Sequence, residues 1–519
     1  MPLPSPRALS CLSGTVVLSL SLFAFPTALL NAQTTSIWNG ASNSAWTEVG
    51  NWSNGVPNAT TAIAEFSSSS GNTNVNLNAA VTLQRLDFLT GAAAYTLATS
   101  NASTLTINAA SGDTFIQNAS GQNQTISTNL TLAISSTGTS TIVDVGAGST
   151  LTLTGQLATS GSSSSHNIGF QGGGTINVNG TFSAVNILRV SSGTTLNYNP
   201  TNAAGANNIF ADAGGRVNVL ANPLSARTLT ISGAGAEMYV QRTGTTNTGD
   251  INLRGTGRGI KTFGADIAAG GTATIIVASD KKLNLNHTEA LTNTTYRFHA
   301  NANTTLVLDA VIHDAGTSQS GTKLEIVGGG TVRFSGSAAN TSVTPVVVTA
   351  GHLELNKTAG IAAIAGGSVT VNQNAELRLL ASNQIADTTT LSLNGGRFTV
   401  NAFSETLGEL NVSALGGSLA LDASSGTGSV TFASLGALDG TLTIYGWTES
   451  ASIVFTDITN WNAAALAKVT FDGIGQGAAL DGDKLVAVTV VPEPAIWSAL
   501  IGVIVLAGTL LVRRKTDHC

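Results

Sequence analysis

A short segment of alternating apolar residues behind a glycine recurs along most of this chain, and it constrains the fold more than any other feature. Clear examples are GSTLTLTG (148–155), GGGTINVNG (172–180), GTTLNYN (193–199), GGRVNVL (214–220), GGGTVRFSG (328–336), GGSVTVN (366–372) and DGTLTIYG (439–446). A period of two residues predicts half-buried β-strands, and the glycine before each segment predicts a turn. The body of the chain is therefore expected to be all-β.

The spacing of the segments predicts how the strands associate. Leu151, Ile176, Leu196 and Val217 begin successive segments about 20–25 residues apart. Such a period indicates a solenoid, in which each coil buries its apolar face only against its neighbours. Parallel stacking favours a right-handed parallel β-helix. The alternative is a β-sandwich or a mixed β repeat, in which Asn-Gly turns would close hairpins.

The composition fits a packed but weakly charged solenoid. Apolar residues make up 42% of the chain, charged residues only 10%, and there are 58 glycines. Thr favours strands, Asn tolerates left-handed corners, and stacked Asn side chains can bond from coil to coil. The same polar surface could hydrogen-bond polysaccharide. We favour the structural role, because the polar pattern runs along the whole chain.

The first 32 residues predict export. Arg7 provides a positive start, residues 15–30 are apolar, and residues 30–32 form a small-residue cleavage site. This arrangement is typical of a secretory signal peptide, with an uncleaved anchor as the alternative. The two cysteines are Cys11 and Cys519, so we expect no disulfides in the exported body.

Residues 491–519 predict a membrane anchor. An uncharged run, 495–512, would form a helix roughly 27 Å long, close to the thickness of the bilayer's hydrocarbon core. Two prolines and a glutamate precede the run, and three basic residues follow it: Pro492, Glu493, Pro494, and then Arg513, Arg514 and Lys515. The basic residues are expected to stop the chain on the cytoplasmic side.

This tail resembles the bacterial PEP-CTERM sorting signal in all three of its parts. Pro492, Glu493 and Pro494 match the motif, 495–512 matches the helix, and 513–515 match the basic end. The resemblance implies an exosortase-type membrane transpeptidase as partner. It also implies cleavage near the motif, after which the chain would leave its helical membrane anchor for the cell surface or extracellular matrix.

A second resemblance begins at residue 328. The stretch GGGTVRFSGSAANTSVTPVVVTAGHLELNKTAG is similar to the autotransporter-associated β-strand repeat, and the pattern continues for about 90 residues. That family implies a secreted, passenger-like β-helix. Because a single predicted helix follows the repeats here, we expect export by a route other than self-transport.

Two aromatic clusters lie where a solenoid needs caps, since its end coils would otherwise expose apolar faces and strand edges. The aromatic residues of interest are Trp38, Trp46 and Trp52 near the start and Trp447 near the end. Cap packing is the favoured interpretation, and a platform for glycan contact is the alternative. The predicted organisation is signal peptide (1–32), N-terminal cap (33–70), β-solenoid repeats (71–440), C-terminal cap (441–490) and sorting signal (491–519).

The sequence offers little for catalysis. The densest group of reactive side chains is Arg297, His299, Asp309, His313 and Asp314, whose spacing lacks a full set of metal ligands. We therefore expect no catalytic residue, metal or cofactor. A net charge of −6 argues against a nucleic-acid partner.

The sequence as a whole predicts a non-enzymatic, exported structural or adhesive solenoid, with extracellular polysaccharide as a candidate partner. Two alternatives stay open. One is a polysaccharide-acting β-helix enzyme, either a lyase or a hydrolase. The other is a carbohydrate-binding adhesin.

Overall fold

The chain folds as an all-β parallel solenoid of about 16 turns with almost no helix. The computed structural model describes residues 33–488 except 69, 136–139, 161–165, 184, 203–205, 222–226, 255–258, 286–292, 315–320 and 422–427, and it describes no side chains at 475–476. The predicted signal peptide and the whole C-terminal tail, including Pro492–Pro494 and Arg513–Lys515, lie outside the described residues.

Each full coil contributes up to three strands, one to each of three sheets that we call faces 1, 2 and 3. Face 1 is built from Thr34–Trp38, Ala62–Phe66, Arg85–Phe88, Thr114–Asn118, Ser140–Val145, Asn167–Gln171, Ile187–Val190, Asn208–Ala211, Thr228–Ser232, Ile251–Arg254, Leu283–Leu285 and Ile312–Asp314.

Face 2 continues for the full length of the solenoid. Its parallel strands are Asn74–Asn76, Thr96–Ala98, Asn123–Ile126, Thr150–Leu153, Thr175–Val178, Thr195–Tyr198, Arg216–Val219, Ala236–Val240, Gly259–Ala265, Thr294–Ala300, Lys323–Val327, Val346–Val348, Ser368–Asn372, Thr390–Asn394, Ser404–Val412, Ser429–Leu438 and Ser452–Asp457.

Face 3 is formed by the third strand of each coil, and it consists of two separate sheets. The first contains Val81–Leu83, Thr104–Ala109, Asn129–Ile134, Leu157–Ser160 and Phe182–Ser183. The second contains Gly244–Thr248, Gly271–Val277, Thr304–Asp309, Thr331–Gly336, Gly351–Lys357, Ala375–Leu379, Arg397–Asn401, Gly417–Leu421, Leu442–Tyr445, Val469–Phe471 and Gly475–Gln476.

The repeat spacing predicted from the sequence is confirmed by the strand register. Leu151, Ile176, Leu196 and Val217 are direct partners in successive strands of face 2, and all four are fully buried. Burying such a side chain stabilises the fold by about 1.5–3 kcal/mol relative to leaving it exposed. One cluster of buried apolar residues runs from Trp38 to Leu485. Each coil therefore depends on its neighbours for its core.

The alternative of a β-sandwich built from hairpins is wrong. Neighbouring coils pair in parallel in all three faces, except that Gly475–Gln476 turns back antiparallel on Val469–Phe471 at the end of face 3. Within the described residues, antiparallel strand pairs occur only at the C-terminal end, where Ala478–Asp481 and Lys484–Ala487 form a closing hairpin beside Ser452–Asp457. The corners use Asn as expected: of the seven described non-glycine residues with positive φ, five are Asn, namely Asn293, Asn303, Asn374, Asn383 and Asn401.

Short helical turns occur at the two ends. A 3-10 turn, Val49–Asn51, lies in the N-terminal cap, where the Glu48 side chain accepts a hydrogen bond from the Gly50 N–H. The α-helix Ala463–Leu466 lies in the C-terminal cap. Asn462 caps this helix by accepting a hydrogen bond from the Ala465 N–H.

Face 1 ends at Asp314. In the following coils, buried polar side chains form hydrogen bonds with backbone groups in place of the missing strand pairing. Asn340 accepts a hydrogen bond from the Ile312 N–H and donates one to the Ala363 carbonyl. The Gln384 side chain accepts a hydrogen bond from the Lys357 N–H, and the Gln384 backbone N–H donates one to the Glu405 carboxylate. These buried amides and carboxylates satisfy backbone groups that would otherwise be left unpaired.

We expect Glu405 to make this region less stable as the pH rises. Burial raises its pKa from 4.5 to about 7, against the opposing effect of the N–H groups of Gln384 and Ile385. Because the folded chain binds this proton more tightly than the unfolded chain, stability should fall between those two pH values by up to about 3 kcal/mol and stay level above them.

Hydrogen exchange of peptides around Gln384, corrected for the intrinsic pH dependence of exchange, measures this effect. Glu405→Gln should flatten the profile, because the amide does not titrate. A wild-type region that becomes better protected from about pH 5 to about pH 8 would contradict the prediction.

Candidate functional site

The N-terminal tryptophans are packed inside the cap. Trp38, Trp46 and Trp52 are 0%, 0% and 4% exposed. The rings of Trp38 and Trp46 lie 5.0 and 4.7 Å from that of Trp52, edge to face, and Phe66 packs against all three. Each indole N–H donates to a backbone carbonyl. None of the three rings has a free face on which a sugar could stack, so the structure favours cap packing.

The C-terminal aromatic cluster is more open. Trp447 is only partly buried, and its ring packs against Phe471 at 5.3 Å. Trp461 is nearly buried against Phe455, which in turn stacks on Phe432. Trp447 therefore closes the apolar end of the solenoid, and it is the only one of the four predicted contact residues with ring surface left for a ligand.

The group of reactive residues between 297 and 314 does not form one site. Arg297 and His299 lie on face 2, Asp309 lies on face 3, and His313 and Asp314 lie on face 1. His313 hydrogen-bonds Thr341, and Asp314 accepts from Thr344. Among the described residues, no three His, Cys, Asp or Glu side chains lie close enough to hold a metal ion.

A polar cluster on face 2 surrounds Arg216. Its guanidinium contacts Glu237 at 3.4 Å and Asp266 at 3.2 Å, and it lies 4.4 Å over the ring of Tyr239. His299 also lies beside that ring, at 5.5 Å. Burial and the nearby Glu237 raise the pKa of Tyr239 to about 12. Both carboxylates are held by one arginine and the phenol keeps its proton, so this cluster is built as a packed ion-pair group.

A chain of side-chain hydrogen bonds crosses five coils of face 2 and ends at this cluster. It runs through Asn123, Thr152, Asn177, Asn197 and Asn218, and its bonds are 2.7–3.1 Å long. Arg216 donates to the last amide of the chain. We call this row the asparagine ladder. It ties successive coils together on the outer side of the sheet, as the sequence had suggested for stacked Asn.

Asn197→Ala should weaken the asparagine ladder locally. The change removes two hydrogen bonds, one accepted by the Asn177 Oδ1 and one donated by the Asn218 Nδ2, at a cost of about 1–2 kcal/mol. Hydrogen exchange of the strands Thr175–Val178 and Arg216–Val219 should accelerate. Asn199→Ala is the matched control, because Asn199 is exposed and makes only a 3.4 Å contact. Equal effects of both variants would show that the ladder contributes nothing.

A second ladder, of alternating charge, lies on the outer side of face 3. One register column holds Arg333, Glu354 and Arg378, and the next holds His352, Glu376 and Arg397. Arg333 and Arg378 contact Glu354 from either side at 2.6 and 3.1 Å. Arg378 also contacts Glu376 at 2.6 Å. We call Arg333, Arg378 and Arg397, with the two glutamates between them, the arginine ladder.

The arginine ladder turns its positive side to solvent. Glu354 and Glu376 are only 7% and 12% exposed, whereas the three arginines are 33–44% exposed. Burial works to raise the pKa of Glu376, but Thr399 and Arg378 outweigh it and hold the pKa below its usual value. Glu376 thus stays charged, both glutamates hold the guanidiniums through ion pairs, and solvent meets mainly the guanidiniums.

The buried amine of Lys357 is a feature that sequence reasoning missed. It donates to the carbonyls of Ala310 and Ser335, both at 2.9 Å, beside a cavity of about 260 Å³ that Asp309 also lines. Burial lowers the pKa of Lys357 to about 8, against the opposing charge of Asp309. At Gly336, an added Cβ would lie 2.5 Å from the Asp309 carboxylate. The amine joins two face 3 corners at the place where face 1 ends.

No helix in the part of the chain that the structure describes is long and apolar enough to cross a membrane. Comparisons with protein-family models, with curated proteins and with solved structures find no match to this chain.

Proposed function

We propose that this chain is an exported, non-enzymatic structural and adhesive protein of the cell surface or extracellular matrix. The observation that carries the proposal is the unbroken parallel stack, in which outward side chains bond to one another from coil to coil. The asparagine ladder and the arginine ladder both follow this rule. Because these outward side chains are already bonded to neighbouring coils, they favour a load-bearing role over catalysis.

A stack of this kind is mechanically suited to spanning distance. About 16 turns at the spacing of hydrogen-bonded strands give a rod roughly 75 Å long. Right-handed winding is the expected geometry, because parallel crossover connections are right-handed in nearly all sheets. Caps of packed aromatic rings at both ends cover the apolar faces that would otherwise invite end-to-end association.

The tail supplies the proposed route to the surface. Pro492, Glu493 and Pro494, the apolar run 495–512 and the basic residues 513–515 have the layout of a PEP-CTERM signal. We propose that an exosortase-type transpeptidase cleaves near this motif after the signal peptide has directed export. Until then a single helix would hold the chain in the membrane, with the solenoid outside.

Peptide mass spectrometry of the C-terminus in membrane, surface and medium fractions tests this proposal. We expect the surface or medium form to end near residues 491–494 and to lack residues 495–519. A mature chain that keeps Arg513 to Cys519 and stays in the membrane fraction would overturn processing. The solenoid would then be a tethered envelope protein.

The Arg216 cluster is what a polysaccharide-acting enzyme on this scaffold would use, because it brings two carboxylates, a tyrosine and a histidine together on face 2. Glu237 and Asp266 are both paired with the same guanidinium, which speaks against separate roles as acid and base. Incubation with acidic and neutral polysaccharides should release no new reducing or unsaturated ends. Release that Tyr239→Phe abolishes would establish the enzyme instead.

A further inference from the structure

The arginine ladder concentrates exposed positive charge in a chain that is acidic overall. The chain carries a net charge of −6 and only 10% charged residues. Three arginines lie here against two glutamates, so the ladder itself has one positive charge in excess. Because the glutamates are buried beneath the guanidiniums, an approaching ligand meets the cations first.

Parallel pairing places these cations along the axis of the solenoid. Arg333 and Arg378 share one register column with Glu354 between them, which puts them about 9.6 Å apart at the usual strand spacing. Arg397 lies one coil further, in the neighbouring column. A row of cations extended along the solenoid axis suits a linear polyanion, and it suits a compact anion poorly.

The guanidiniums still have donors to offer. Arg333 uses Nε and one terminal nitrogen on Glu354, and Arg378 uses its two terminal nitrogens on the two glutamates. Arg397 is held by Nε to Thr399 and by the ring of Tyr445, 4.9 Å away. In the described part of the chain, no partner is found for the terminal nitrogens of Arg397. A guanidinium has five donors, and those left over can bind carboxylate or sulfate in pairs.

The surroundings of the ladder match a sugar chain. The second column continues into hydroxyl side chains on both sides, with Thr305 and Thr331 before His352 and Ser418 and Thr443 after Arg397. Asp309 lies on the other side of the Arg333 column, where it pairs in register with Ser335, and it is close to the Lys357 amine. Hydroxyl groups flanking fixed guanidiniums can bind sugar hydroxyls and acidic groups along the same line.

We propose that the arginine ladder binds a linear acidic polysaccharide, laid along the solenoid axis with acidic groups on Arg333, Arg378 and Arg397. This rests on the proposed surface role and gives it a ligand class. The guanidiniums are already ordered by their glutamates, so little side-chain freedom is lost on binding. A nucleic acid fits less well, because its affinity depends on neutralising many phosphates and the ladder offers few cations.

The test is binding of the full chain, purified in detergent, to immobilised polygalacturonate, with dextran and double-stranded DNA as comparison ligands. We expect binding to polygalacturonate that weakens with added salt, and weaker or no binding to the other two. Changing all three arginines to Gln should weaken binding about tenfold or more. Arg397→Gln alone should weaken it about threefold and leaves Glu376 paired with Arg378.

Arg189→Gln is the matched control. Arg189 on face 1 is 41% exposed and contacts Asp212 at 2.9 Å, so it has the same chemistry outside the ladder. It should bind like wild type, and unchanged hydrogen exchange in the Arg397→Gln variant would exclude loss of fold as the cause of weaker binding. Failure of wild type to bind, equal loss in Arg189→Gln, or tighter binding to DNA would each overturn the proposal.

The two proposals fail in different ways. A chain that is exported and processed but does not bind polygalacturonate overturns the ligand alone. A chain that binds polygalacturonate in vitro but is never found outside the membrane overturns the surface role and leaves the ladder's chemistry intact.

Discussion

Trp46→Ala is expected to open the first coils of the solenoid and leave the rest folded. Trp46 is fully buried, 4.7 Å from the ring of Trp52, and its loss leaves a large cavity at a cost of about 3–5 kcal/mol. The cap also covers the edge of face 1 at Thr34–Trp38. Because solenoid coils are stabilised by their nearest neighbours, the loss should remain local. Hydrogen exchange should rise in Ala62–Phe66 but not in Ser368–Asn372.

The control for this variant is Val49→Ala, a truncation in the same cap at a side chain that is 65% exposed. It should change exchange very little, since surface substitutions usually stay within about 0.5 kcal/mol. Unchanged exchange in Trp46→Ala, combined with loss of binding to a glycan, would reverse the interpretation. The aromatic cluster would then be a sugar-binding platform that is not required for the stability of the cap.

Gly180→Ala should disrupt the stacking of two consecutive coils. An added Cβ would overlap the carbonyl oxygen of Gly155 in the coil before, and a Cβ on Gly155 would overlap that of Thr128. The obstruction is backbone, which cannot rotate away like a side chain. The coils must separate at this corner, and we expect a loss of about 3 kcal/mol or more. Thermal unfolding and the exchange of Thr175–Val178 measure it.

Gly169→Ala is the matched control for that variant. The nearest atom to its added Cβ is the Thr141 carbonyl oxygen at 3.5 Å, an ordinary contact. Its φ is not among the positive ones, so the backbone is compatible with alanine. We expect no loss, or a gain of about 0.5 kcal/mol from a less flexible unfolded chain. If both variants lost stability equally, close backbone approach at Gly180 would not be the cause.

Apolar periodicity was sufficient to predict the core. The inward residues alternate with a period of two, and the repeat length places Val332 beside Leu353 and Val369 beside Leu391, as the register shows. Burial of such residues depends only on local alternation and on the stacking of apolar residues on apolar residues in the next coil. The all-β solenoid could therefore be derived before any contact was known.

The candidate site could not be derived in this way. Arg333 and Glu354 are 21 residues apart, whereas Glu354 and Arg378 are 24 apart. Because the coils differ in length, the sequence does not show which outward residues become neighbours. A register shift of one residue would move each of them to the opposite side of its strand. The five residues between 297 and 314, adjacent in sequence, point from three different faces for the same reason.

By itself, the sequence determined the strand pattern, the repeat and the need for caps, because these follow from local alternation and turn residues. The tertiary structure alone decided where face 1 ends, why Gln384, Glu405 and Lys357 are buried, and which charges form the arginine ladder. Those outcomes depend on register and corner geometry. Both are set by contacts between coils about 20–30 residues apart, which no local pattern encodes.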